Sequence, residues 1–113
     1  AAGVTIGSHT KTHVRLSKLT TKEIYTELLK SKNEIEQFTN RSCEHFCAPY
    51  GIPGEDFDLK RDSQIAKGIG YRSFATSSRG INQSGDSPFS LRRDHLIANW
   101  SNHQLRYFLS IPD

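Results

Sequence analysis

The sequence predicts an α/β fold in which strands and helices alternate along the chain and the strands pack in parallel. Three observations carry that prediction. A long stretch after Thr20 repeats apolar residues at helical spacing, and three short apolar runs at residues 4–8, 45–48 and 71–76 have β character. A second helical segment separates the last two of those runs.

Residues 4–8, Val-Thr-Ile-Gly-Ser, read as the first strand, approaching a buried position and giving way to one helical turn. Leu16 and Leu19 then point inward, and Thr20 or Thr21 caps a long helix with Glu23 near its positive end. Ile24, Leu28, Ile35 and Phe38 form the apolar stripe of that helix, which runs to about Thr39 with Asn40 as its stop. Residues 45–48 form the next strand, and Pro49, Gly51, Pro53 and Gly54 make a fixed loop after it. Residues 58–68 form a second helix with Leu59, Ile65 and Ala66 inward, and residues 71–76 alternate as a strand. Residues 77–88 are a surface loop. Residues 89–91 and 96–98 are strand-like, and a last helix spans about 102–109, capped by Ser101; Trp100 either anchors that helix or stacks on a sugar, the anchor being favoured.

At 113 residues the chain is a single domain. Hydrophobic content of 35% and charged content of 24%, with no apolar run near 20 residues, describe an ordinary soluble protein and exclude a transmembrane helix. The net charge of +3 is mild, and basic residues are scattered without interleaved aromatics, which argues against nucleic acid and leaves an anionic glycan as a charged ligand. The chain begins at Ala1 and contains no Met, so it reads as one whose N-terminal segment lies upstream. No targeting segment is visible, which favours the cytoplasm unless that segment carries one. Cys43 and Cys47 are the only cysteines. In an extended segment their Cα atoms would be about 13 Å apart, too far for a disulfide, so free thiols are expected.

Chemistry points first to His9 and His13. On a helical turn, residues four apart have Cβ atoms about 5–6 Å apart, so two imidazoles can grip one metal ion. The same spacing also arises among solvated surface histidines. Catalytic zinc sites use three protein ligands and keep a position for water, so two histidines make an incomplete site. Gly7 and Ser8 leave room beside His9 at a strand end, where α/β proteins build their sites. His45 and His103 carry no motif and read as solvated or structural.

Ile6-Gly7-Ser8-His9-Thr10-Lys11-Thr12-His13 with Leu16 and Leu19, then Phe46-Cys47-Ala48-Pro49-Tyr50-Gly51, then residues 70–76 follow one another in an order that resembles the polysaccharide deacetylase (NodB-like, carbohydrate esterase) family. The first stretch matches the family's H-S/T-x-x-H metal motif. The second resembles its R-x-P-Y-G segment with Cys47 where the arginine stands, as in branches similar to enzymes of surface-polysaccharide synthesis. The resemblance implies a distorted (β/α) barrel, of which residues 1–113 would be a partial domain lacking the first strands. It further implies a hydrolase acting on carbon–nitrogen bonds other than peptide bonds, with His9 and His13 as metal ligands and zinc, cobalt or nickel as the ion. The backbone N–H of Tyr50 would be the oxyanion donor, and an acetylated poly- or oligosaccharide the substrate. The family's aspartate pair, base and third ligand, would lie upstream of Ala1, supplied by a missing N-terminal segment or a partner chain. His95 in Leu91-Arg92-Arg93-Asp94-His95 falls one residue late for the family's L-x-x-H acid, so that role is not carried to it. The competing readings are a fragment inactive on its own, a non-catalytic glycan- or partner-binding remnant of the same fold, and an anionic-polymer binder.

Overall fold

The computed structural model describes residues 3–94, 101–104 and 106. A short 3-10 turn, Leu16–Lys18, leads into α1, Thr21–Thr39; β1, His45–Cys47, α2, Leu59–Ile69, and β2, Ser73–Ala75, follow. Helix α1 starts where the sequence says. Thr20 accepts the Glu23 N–H at 3.2 Å while the Glu23 carboxylate accepts the Thr20 N–H at 3.0 Å, a reciprocal cap. That bond to the Thr20 backbone holds the Glu23 carboxyl below its ordinary range. The helix stops at Asn40, whose left-handed backbone (φ 54°) directs its N–H to the Glu36 carbonyl. Asp58 caps α2, and Gly70, in the left-handed region, ends it.

Strands β1 and β2 pair in parallel, with Phe46 opposite Phe74, and α2 is the crossover between them. The pairing extends one residue on each side. Ser8 bridges to Phe46, and Leu91 bridges to Ala75, both in the parallel sense. The spatial order Ser8, β1, β2, Leu91 therefore follows the chain, as in a (β/α) barrel, instead of reversing as in a doubly wound sheet. The result is a partial parallel α/β unit, the incomplete-barrel architecture that the sequence predicts.

One face of this small sheet carries the core. Phe46 and Phe74 are fully buried with rings 5.1 Å apart, and Phe57 and Tyr71 pack on them at 5.2 and 5.5 Å. Leu16, Ile24 and Leu28 close over them from the turn and α1, and Ala66 from α2. The Tyr71 hydroxyl donates to the Leu28 carbonyl at 2.9 Å, so its polar end is satisfied where burial pushes its ionisation up. Cys43 is buried in this core, Cys47 is half-buried, and both are free thiols whose ionisation burial disfavours. The opposite face, with Cys47, Ser73 and Ala75, lines an open cleft shared with His9 and Arg93.

Four expectations are corrected. Residues 4–7 form no regular strand, and Val4 and Ile6 are 64% and 50% exposed; only Ser8 is paired. A bend, not a helical turn, follows Ser8. Phe38 is 91% exposed instead of inward. A 19-residue helix is about 28 Å long and a three-residue strand about 10 Å, so the last turn of α1 overhangs the sheet. Of residues 89–91 only Leu91 pairs. In the last helix, residues 102–104 and 106 are helical; residues 96–98, His95, Trp100 and the rest of that helix lie outside the described residues. No helix among the described residues is long and apolar enough to cross a membrane.

Candidate metal centre

Ser8 is the fixed point from which the site is built. Its N–H donates to the His45 carbonyl at 2.7 Å, its carbonyl accepts the Cys47 N–H at 2.9 Å, and its buried hydroxyl meets that of Ser31 on α1 at 2.7 Å. Its neighbour Gly7 is closely packed: a Cβ there would lie 3.0 Å from the His45 carbonyl oxygen, which would have to shift. His9 thus leaves the sheet edge in a set direction.

The chain then turns back on itself. Thr10 and His13 both have left-handed backbones (φ 66° and 57°), and the Thr10 hydroxyl accepts the His13 N–H at 2.9 Å. Thr12 donates twice to Glu27, and Lys11 pairs with Glu34, tying the bend to α1. The bend brings the His9 and His13 rings edge to face, with centroids 4.8 Å apart. The two histidines that the sequence singles out do lie side by side, but a bend, not helical periodicity, brings them together.

Hydrogen bonding settles which nitrogen of His9 is available. Nδ1 lies 2.7 Å from the Cys47 carbonyl oxygen, which can only accept, so Nδ1 carries a proton and, in the neutral ring, Nε2 has the lone pair. A backbone carbonyl bound to the far nitrogen is the usual way a metal-binding imidazole is oriented. Both histidines are exposed, so an ion can reach them. The donor set therefore fits half of a nitrogen-rich site for a divalent metal; among the described residues no group of three His, Cys, Asp or Glu completes it.

Tyr50 stands on the other side of His13, ring to ring at 5.1 Å. Its backbone is left-handed (φ 66°), and the Gly51 N–H donates to the Pro49 carbonyl at 2.7 Å across it, which closes a three-residue turn. That turn is a rare, strained one. Gly51 is required beside it: its φ is +85°, and a Cβ would lie 2.9 Å from that of Ser77. Among the described residues no hydrogen bond is made by the Tyr50 N–H.

Two residues that the sequence did not single out support this loop. Asp56, 3% exposed, accepts the Ile52 N–H at 2.9 Å and Arg15 Nε at 2.7 Å. Burial works to raise its carboxyl, but the Ile52 N–H and the Arg15 guanidinium outweigh it and hold the carboxyl below its ordinary range. The Arg15 guanidinium in turn lies 4.2 Å from the centre of the Tyr50 ring. Arg15 and Asp56 are 41 residues apart, and no spacing rule links them. The only local hint was the position of Arg15 two residues after His13.

Comparison with known proteins identifies the family and the fold. The sequence model of the polysaccharide deacetylase family matches residues 1–74. No curated protein matches the chain in sequence. Among solved structures it is similar to the Streptococcus pyogenes deacetylase PplD in complex with acetate (23% identity, TM-score 0.77, 93% of this chain and 44% of that one). It is also similar to IcaB from Ammonifex degensii (17% identity, TM-score 0.70, 93% and 46%). A de-N-acetylase from Aggregatibacter actinomycetemcomitans is a third (16% identity, TM-score 0.67, 91% and 47%). At these identities the likeness shows the fold, and the chain spans less than half the length of each of these structures.

Proposed function

This chain belongs to the polysaccharide deacetylase family, and on that premise we propose that it supplies the histidine half of a metal-dependent site that removes acetyl groups from a poly- or oligosaccharide. The observation that carries the reading is His9 itself, with Nδ1–H spent on the Cys47 carbonyl, Nε2 free, and a second imidazole 4.8 Å away. Such a pair suits zinc, cobalt or nickel. A divalent cation bound there polarises the acetyl carbonyl and makes water a better nucleophile at neutral pH.

The residues of this chain then have separate tasks. His9 and His13 are the ligands, both as neutral imidazoles. Tyr50 offers its unengaged backbone N–H to the oxygen that becomes negative as water adds to the acetyl carbon. The strand-end loops that carry His9, His13 and Tyr50 face the sugar. The carboxylate that accepts the proton from water and the third ligand come from residues outside this chain, so the 113 residues are inactive alone. Acetate and a free amine or hydroxyl on the sugar are the products.

Cys47 in the place of the family's arginine favours a second reading, a glycan-binding remnant without activity. Acetate release from an acetylated aminosugar polymer, measured with the full-length protein that carries these residues, separates the two. The deacetylase reading expects release that is lost in His9→Ala and in His13→Ala; polymer binding with no release favours the remnant.

A further inference from the structure

Behind His13, a line of contacts runs away from the candidate metal centre into the protein. His13 touches the Tyr50 ring at 5.1 Å, the Tyr50 ring carries the Arg15 guanidinium at 4.2 Å, and Arg15 Nε is held at 2.7 Å by the buried Asp56. We propose that Arg15 is a positioning residue: braced by Asp56, it clamps the Tyr50 ring against His13 and so fixes both the His13 imidazole and the strained backbone that presents the Tyr50 N–H. The proposal rests on the metal-site reading given above.

Three features of the geometry support the clamp. Tyr50 is 52% exposed and its backbone is left-handed, a conformation that persists in a tyrosine only when neighbours hold it. The ring has no place in the core, and among the described residues His13 and Arg15 are the aromatic and cationic groups that lie against it. Asp56 already ties the two segments together through its backbone, since its carbonyl accepts the Ser17 N–H at 2.9 Å. Its carboxylate divides its two oxygens between the Ile52 N–H and Arg15 Nε, so the guanidinium is aimed by a group that the Tyr50 loop itself holds in place. Arginine suits this task because its planar cation can pair edge-on with a carboxylate while its face lies on an aromatic ring. Lysine can keep the charge opposite Asp56 but cannot stack in that way.

The test uses this chain with zinc as the probe, and Arg15→Lys, Arg15→Met, Tyr50→Leu and the Arg15→Lys/Tyr50→Leu double variant. Lys67→Met, which removes a cation from over the Phe89 ring and touches none of the clamp residues, is the control. Calorimetric titration gives zinc affinity, and the ¹³C–¹H signals of the His13 ring are read without metal. The clamp predicts zinc affinity about 10-fold weaker in each single variant, the range seen for groups that orient ligands. It predicts no further loss in the double variant, and shifted His13 ring signals in all of them but not in Lys67→Met. Arg15→Lys retains the ion pair, so it keeps the test valid if Arg15→Met fails to fold. A merely structural role for Arg15 lowers the melting temperature while zinc affinity and His13 signals stay as in the wild type, and that result overturns the proposal. So do losses that add in the double variant. If the wild type binds zinc no better than His9→Ala, the metal reading fails instead, and the His13 signals alone decide whether the clamp exists.

Discussion

In the layer formed by α1, β1, α2 and β2, the only non-glycine residue with a left-handed backbone is Asn40, which ends a helix; in the rim that carries the histidines, Thr10, His13 and Tyr50 all have one. The layer is held by apolar burial on a regular backbone. The rim is held by individual polar ties: Thr12 to Glu27, His9 to the Cys47 carbonyl, Arg15 to Asp56. Regular backbone lets a small sheet bury Phe46 and Phe74 cheaply, whereas a site must aim particular groups at one point. Irregular backbone achieves that aim at a cost in strain, of order 1–3 kcal/mol for each such residue.

The sharpest way to break the comparison is to strike the layer. Phe74→Ala removes a fully buried ring that touches both Phe46 and Phe57, and should cost about 3–5 kcal/mol in urea unfolding. Because a domain has only about 5–15 kcal/mol in hand, layer and rim should be lost together in one transition. If the rim survived unfolding of the layer, the two would be independent.

The same contrast explains what the sequence revealed and what it hid. The Thr20 cap, the Asn40 stop, the bounds of α2 and the two paired strands rest on residues within a few positions of one another, so local patterns gave them away. Phe38 and Ile6 follow the pattern equally well and are exposed, because periodicity cannot report where the sheet ends. In the site, His9, His13 and the Pro49–Tyr50–Gly51 loop were legible as residue types at a strand end. That the pair is joined by a bend, and that Arg15 and Asp56 stand behind Tyr50, depends on contacts across up to 41 residues. Nothing in a local window encodes these.

A smaller blow aimed at the rim is Gly51→Ala. Its left-handed backbone and the contact with Ser77 predict a loss of about 1–3 kcal/mol with the helical circular dichroism unchanged below the transition. An unaffected melting temperature would mean that the loop is not held as described.

The smallest effect concerns acid. The Asp56 carboxyl ionises below its ordinary value near 3.8, so its contribution to stability is fully present above that value and is lost as pH falls through the lower, folded one. Asp56→Asn should therefore be less stable than the wild type at pH 6, with the gap narrowing below about pH 4. A gap constant from pH 6 to pH 2 would show that the carboxylate charge contributes nothing.

The central claim is that His9 and His13 act together as ligands, and a zinc titration of this chain followed by calorimetry at neutral pH tests it most directly. One zinc per chain is expected, with affinity at least about 100-fold weaker in either His9→Ala or His13→Ala, beyond the 10- to 100-fold loss typical of removing a group that merely orients a ligand. Binding that survives in both variants, or none in the folded wild type, would contradict it.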